Sequence, residues 1–344
     1  MGTNDCSHFD QIRIQNRRMV RNLMRDFPQI GKAELADLSG LSFPTISALL
    51  GDLLQTGEVL LLADVSSRGG RPAEQFALNP LFQTALCAYI ENHVLYMRVC
   101  DVFGNTLLEK TAPLASGRSS DGLIGLMSDV KASFPGLSVI CLGVPGAIMD
   151  GYLNYLPDYR DLEGLNLKQL LENALSVPVF IENDVNVFVF AEREIWPDLV
   201  HIFSSSNCPG SGILLNRTVV RGASGCAGEL EYIPFEHNGI AVTFGEKLGL
   251  IARDFAGQEN TAAARAALLS CLAHAVASIV CIINPPDLAL SGFGLADSDM
   301  TDLTEELARL LPASRCPVFH VVDEIDSLYQ RGLLEIAMDY WKAK

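Results

Sequence analysis

The sequence changes character at Asn79-Pro80. Before that point apolar residues recur at spacings of three, four and seven, the period of packed helices. After it, continuous apolar runs ending in glycine or proline alternate with helical stretches, the texture of an α/β body. A chain of 344 residues divides into two or three units at ~150 residues each. The break predicts one unit over 1–80. A body of two halves is expected at 81–190 and 191–325, with a C-terminal helix, about 326–344, completing the first half. Charge follows the same division. Of 25 basic and 41 acidic side chains, residues 1–80 hold eight and nine, so the net charge of −16 sits almost wholly in the body.

Within the first unit, Asp10 to Phe27 reads as a helix carrying Arg13, Arg17, Arg18, Arg21 and Arg25, with Pro28 stopping it. A second helix runs from Lys32 to Leu38 and ends at Ser39-Gly40. Ser42 is a good N-cap for a third, with Pro44 in the first turn, where a missing N–H costs little. Ile46, Leu49, Leu50, Leu53 and Leu54 form its apolar stripe. Thr45, Ser47 and Ala48 leave its N-terminal end short and polar. Two helices joined by a glycine-containing turn predict a helix-turn-helix. The stretches Glu58 to Val65 and Gln75 to Leu78 predict a two-stranded wing, whose tip carries Arg68, Gly69, Gly70 and Arg71. Glycine allows a close approach to a minor groove and arginine is drawn to its negative potential. The expected DNA contacts are therefore Arg13, Arg17, Ser42, Thr45, Ser47, Arg68, Gly70 and Arg71. A three-helix bundle for protein contact is the alternative.

Composition excludes other classes. At 49% hydrophobic and 19% charged the chain is neither disordered nor collagen-like. Nine scattered cysteines, none spaced as CxxC, fit neither a disulfide scaffold nor a zinc cluster. Met1 to Asp10 is polar, and the strongest apolar stretch, Ala275 to Ile283, falls short of the ~20 residues of a membrane span. A cytoplasmic chain without a membrane partner is expected.

In the body, Ser138 to Val144 is a continuous apolar run ending in Pro145-Gly146, a buried strand. Strand-rich hairpins followed by αβα occur twice and predict a duplicated fold with a cleft between its halves. Two clusters point into that cleft. Glu182-Asn183-Asp184-Val185-Asn186 follows a strand and opens a helix, where α/β proteins place ligands. Asp can accept a hydroxyl proton and Asn both donates and accepts; an Asn/Asp helix cap is the plainer reading. Arg221 to Tyr232 holds three glycines and Glu229, either a close-approach loop or a flexible turn.

Together these residues resemble the ROK family of repressors, open reading frames and kinases, on its regulator branch. Leu142-Gly143-Val144-Pro145-Gly146 is similar to the family's strand-end loop, and Glu182 to Asn186 to its sugar-binding and catalytic-base motif. Gly222 to Glu229 resembles its sugar loop, and Gly69-Gly70-Arg71-Pro72-Ala73 the wing and linker of its repressors. The resemblance implies an N-terminal winged helix-turn-helix followed by a two-lobed, actin-like sugar-kinase fold of ATPase type, usually dimeric or tetrameric. It also implies a sugar or sugar derivative bound at Gly146, Asn183, Asp184, Glu229 and Tyr232.

The sequence departs from the kinases of that family at both phosphate loops. Where they begin with Asp-x-Gly-Gly-Thr, this chain reads Tyr89-Ile90-Glu91-Asn92-His93; Glu91 repels phosphate and the glycines are gone. Where they carry Gly-Thr-Gly-x-Gly, it reads Ser206-Asn207-Cys208-Pro209-Gly210, and Pro209 has no N–H to donate. Phosphoryl transfer depends on positioning and charge neutralisation. Asp184 is therefore expected to be a vestigial base and the chain a non-enzyme. The family's zinc cysteines are absent from Pro234 to Gly249 and Tyr232 stands where zinc-bearing members have a histidine, so no metal and no cofactor is expected. His237 is a substitute contact to consider. The expected function is a sugar-responsive transcriptional regulator, a repressor, acting as a homodimer or homotetramer on a palindromic double-stranded operator. A sugar kinase with an appended DNA-binding domain, or a regulator with a dead pocket governed by a protein partner, are the alternatives.

Overall fold

The computed structural model describes residues 8–62, 74–115, 117–154, 156, 159–205, 208–255 and 261–344. The first unit begins with α1 (His8–Asp26), followed by the short strand β1 (Ile30–Gly31), α2 (Lys32–Ser39), α3 (Phe43–Gln55), β2 (Val59–Leu62) and β3 (Gln75–Leu78). Gly40, at φ 68, ends α2 in the left-handed conformation, and its N–H donates to the Ala36 carbonyl. Ser42 caps α3, accepting from the Thr45 N–H at 3.3 Å, with Pro44 in the first turn as the sequence predicts. Val20, Met24, Ile30, Leu35, Ile46, Leu50, Leu53 and Phe76 form one buried core. The sheet has three strands in the order β1-β3-β2, one more than expected. Two residues of Ile30–Gly31 leave too little alternation to be seen in sequence.

Lobe 1 opens with an antiparallel meander of β4 (Thr84–Glu91), β5 (Val94–Cys100) and β6 (Thr106–Pro113). Then come α4 (Ser119–Ser133), β7 (Leu137–Val144), the hairpin β8 (Ala147–Met149) and β9 (Tyr152–Asn154), α5 (Leu167–Leu175), β10 (Val179–Asn183) and α6 (Asp184–Glu192). Lobe 2 repeats the meander with β11 (Leu199–Ser205), β12 (Cys208–Leu215) and β13 (Thr218–Val219). It continues through the hairpin β14 (Pro234–His237) and β15 (Ile240–Thr243), α7 (Phe244–Asp254), α8 (Thr261–Ile282), β16 (Asp287–Ser291), α9 (Asp299–Ala308) and β17 (Val318–Val321). Last comes α10 (Ile325–Ala343), which packs on β4, β7 and α6.

The duplication is explicit in the strand orders. Lobe 1 runs β6-β5-β4-β7-β10 and lobe 2 runs β13-β12-β11-β16-β17, each three antiparallel strands followed by two parallel ones. Alternate residues of β4 serve two cores. Leu86, Ala88 and Ile90 face α4 and α5, while Ala85, Cys87 and Tyr89 face α6 and α10. The small hairpins β8–β9 and β14–β15 were not visible in the sequence. One expectation needs correcting. The stretch Ala262–Ile282 is long and apolar enough, by length and composition alone, to cross a membrane. Its Leu272, Ala275 and Val276 are buried in the lobe 2 core, which accounts for the apolar run.

Candidate functional site

Strands β4, β7 and β10 are parallel, so their carboxyl ends open at one place between the lobes. A cavity of about 240 Å³ lies there. Lobe 1 contributes Glu91 and Asn92 from the end of β4, Gly146 beyond β7, and Asn183 to Asn186 from the β10–α6 junction. Lobe 2 contributes Pro209 to Ser211 of β12 and Gly225, Ala227, Gly228, Glu229 and Glu231, and α10 adds Tyr329.

Asp184, in the first turn of α6, is half-buried, its exposed part in the cavity wall. Burial, with the charges of Glu229 and Glu91 adding to it and hydrogen bonds from the Val185 N–H and Asn183 opposing it, raises its pKa from 3.8 to about 7. The Tyr329 hydroxyl hydrogen-bonds to it. Asn183 is the cap of α6. Its Oδ1 accepts from the N–H groups of Val185 and Asn186, and its Nδ2 donates to the Gly146 carbonyl at 3.1 Å. The cap reading and the cavity reading both hold, since Asn183 also lines the cavity.

Glu182 holds the lobes in register. One oxygen accepts from the Asn186 side chain at 2.9 Å, and the other takes both Nε and Nη2 of Arg221, at 3.0 and 2.5 Å. Such a two-pronged pair fixes orientation as well as distance. It anchors the start of the glycine loop, whose close approaches then require glycine. A Cβ on Gly225 would lie 2.1 Å from the Ile148 carbonyl oxygen, and one on Gly228 1.9 Å from that of Ser211. Both have positive φ, at 76° and 94°.

Tyr232 does not join the cavity. The loop ends in a 3-10 turn, Leu230–Tyr232, which spaces successive side chains about a third of a turn apart. Leu230 goes into the lobe 2 core, Glu231 lines the cavity and Tyr232 is 52% exposed. His237 is also elsewhere, 3.1 Å from the Lys247 ammonium. Gly146, Asn183, Asp184 and Glu229 are brought together. Glu231, Asn186 and Tyr329 are cavity residues that the site reading missed. The first two adjoin recognised residues, but nothing local marks Tyr329.

The phosphate-loop positions take other roles. Tyr89 is buried between Tyr96 and Tyr329, with ring centroids 4.6 and 4.1 Å away, and its hydroxyl donates to Asp326 at 2.8 Å. Glu91 ends the strand, and Asn92 and His93, at φ 48° and 60°, make a two-residue hairpin turn. The His93 N–H is already given to the Tyr159 hydroxyl at 2.7 Å. Pro209 sits in β12 opposite Ser204; Ser206 and Asn207 lie outside the described residues.

In the first unit, Arg17 and Arg21 turn inward. Arg17 and Arg21 meet Glu58, which is 4% exposed, at 2.7 and 3.1 Å. Arg13 pairs with Asp52 of α3. Arg18 donates to the Lys342 carbonyl near the end of α10. Ser42 and Thr45 share a hydroxyl contact of 2.8 Å at the exposed start of α3, and Ser47 is half-exposed beside them. Arg17 is thus a structural cation rather than an open phosphate contact. Arg68, Gly70 and Arg71 lie outside the described residues.

The duplicated lobes with a ligand-sized cleft define the actin-like sugar-kinase fold. Residues 118–250 match the ROK family. A xylose repressor of Bacillus subtilis (strain 168) is 26% identical over 251 residues, covering 68% of this chain and 64% of the repressor. The chain therefore spans under two thirds of that relative's length. Among solved structures, a ROK family transcriptional regulator, a homologue of the Escherichia coli Mlc protein, superposes with a TM-score of 0.73 at 17% identity, covering 96% of both chains. A ROK hexokinase from Thermus thermophilus superposes with a TM-score of 0.60 at 18% identity, covering 74% of this chain and 99% of its own.

Proposed function

We propose that this chain is a sugar-responsive, DNA-binding transcriptional regulator, a repressor, whose ROK body senses a ligand rather than phosphorylating it. The observation that carries the reading is coverage. The regulator fold accounts for 96% of the chain, whereas the hexokinase leaves a quarter of it unmatched. The first unit then serves as a winged helix-turn-helix, with α3 as the helix that enters the major groove. Ser47 and the hydroxyls of Ser42 and Thr45 face the bases. Arg13, whose side chain is 68% exposed, exchanges Asp52 for a phosphate. Sequence alone gives Arg68, Gly70 and Arg71 the minor groove. At about 240 Å³ the cavity lies just below the ~300–1,000 Å³ of ordinary small-molecule sites, which suits a single sugar ring at Asn183, Asp184 and Glu229. The chain works in the cytoplasm, as a dimer or tetramer on a palindromic operator.

One observation favours the kinase alternative: an Asp184 pKa of about 7 suits a general base. Against it, Glu91 and the spent His93 N–H stand where ATP phosphates need donors. Thermal stability with a sugar panel, with and without Mg-ATP, separates the two. The regulator reading predicts a stabilising sugar indifferent to ATP and no ADP release. Stabilisation that needs ATP, with sugar-dependent ADP release, would overturn it.

A further inference from the structure

The cavity between the lobes is rich in acceptors and carries no cation. Glu91, Asp184, Glu229 and Glu231 line it, and none of the described lining residues is Lys, Arg or His. The side-chain donors around it are largely committed. Asn186 Nδ2 donates to Glu182, the Ser211 hydroxyl donates to the Gly228 carbonyl, and Tyr329 bonds to Asp184. Independently of the acids, the cavity-wall residue Asn186 is 4% exposed, and its buried Oδ1 accepts from no donor among the described residues. Leaving a buried acceptor unpaired is costly, so the wall favours a ligand that donates.

The chemistry narrows the ligand by elimination. A phosphorylated or acidic sugar adds negative charge to four acids. A neutral polyol supplies donors but leaves the charge uncompensated. A metal ion needs converging ligands, and among the described residues no group of three or more His, Cys, Asp or Glu is placed to hold one. An organic ammonium brings three donors and the missing charge together. Burial lifts the carboxyls of Glu91 and Glu229, as it does Asp184, and no cation among the described lining residues offsets it.

We propose that the cavity takes a cationic, polyhydroxylated amine, an amino sugar with its amine free, and that Glu91 from lobe 1 and Glu231 from lobe 2 select its charge. The proposal rests on the reading of this cleft as a sugar site and narrows it. Glu91 ends β4 and Glu231 stands in the 3-10 turn, so a ligand bound by both draws the lobes together. That is the differential contact a ligand must make if it is to shift a two-state protein.

Calorimetric titration of the full chain tests it. The probes are glucosamine, galactosamine and mannosamine, each against its parent hexose, its N-acetyl form and its 6-phosphate. The parent hexose is the clean control, because it exchanges the amine for a hydroxyl without added bulk. We expect at least one free amine to bind ten-fold or more tightly than its parent, and its 6-phosphate to bind more weakly than the free amine. Glu91→Gln and Glu231→Gln should each erase most of that preference, read as the ratio of amine to parent-hexose affinity in the same variant. A parent hexose, N-acetyl form or phosphate that binds as tightly as the amine overturns the charge selection and leaves the sugar reading standing. Failure of every sugar to bind overturns both.

Discussion

Single residues decide most of what this molecule can do, and burial decides how they do it. Asp184 is the clearest case. Its carboxyl titrates near 7 when folded and near 3.8 when unfolded. Between these values the unfolded chain has lost the proton and the folded chain keeps it. The Asp184 contribution to stability therefore falls as pH rises through that window and stays low above it. Asp184→Asn keeps the acceptor for Val185 and removes the charge, so it should raise the melting temperature at pH 8 and leave it nearly unchanged at pH 4, by calorimetry. Glu58 shows the opposite arrangement, an acid held by Arg17 and Arg21. Glu58→Gln strands two half-buried cations and should destabilise the first unit by about 3 kcal/mol, read from amide exchange in α1 and α3. His201 bridges Glu192 at 2.9 Å and Ser291 at 2.8 Å, the spacing of a hydrolytic triad. All three are buried, and they tie α6 to β11 and β16. Ser291→Ala should cost ~1–3 kcal/mol of stability and leave sugar binding intact.

At the scale of elements, α10 organises the body. Its first turns set Asp326 and Tyr329 against the tyrosine stack and the cavity, and near its end the Lys342 carbonyl takes Arg18 of α1. In between, Gly332 lies so close to α6 that a Cβ would be 2.0 Å from the Val187 carbonyl oxygen. Gly332→Ala should force the two helices apart and cost at least ~1–3 kcal/mol, with sugar binding weakened through Tyr329. Elements such as α3 were legible in the sequence because capping and periodicity are local: Ser42, Pro44 and the leucine stripe lie within thirteen residues. The strand ends that make the cavity were legible for the same reason, as apolar runs stopped by Pro145-Gly146 and by Asn183. What escaped depends on distance. Glu182 and Arg221 pair across 39 positions, and Tyr329 reaches Asp184 from the last helix. The inward turn of Arg17 and Arg21 could not be read either, because an arginine run looks the same whether it faces phosphate or a buried glutamate.

For the whole molecule, we propose that a DNA-reading unit is joined to a sugar-kinase-like body that does not phosphorylate its ligand. The acidic body repels nucleic acid, so attraction must come from the first unit and should weaken steeply with salt. The direct measurement is equilibrium binding, at ~0.15 M salt, of the full chain to duplexes selected by it from a random pool, against scrambled duplexes of the same composition. A selected site with two-fold symmetry is expected, bound at least ~10³-fold more tightly than its scrambled counterpart. Equal, weak binding to both would contradict it and leave the first unit as a protein-contact bundle.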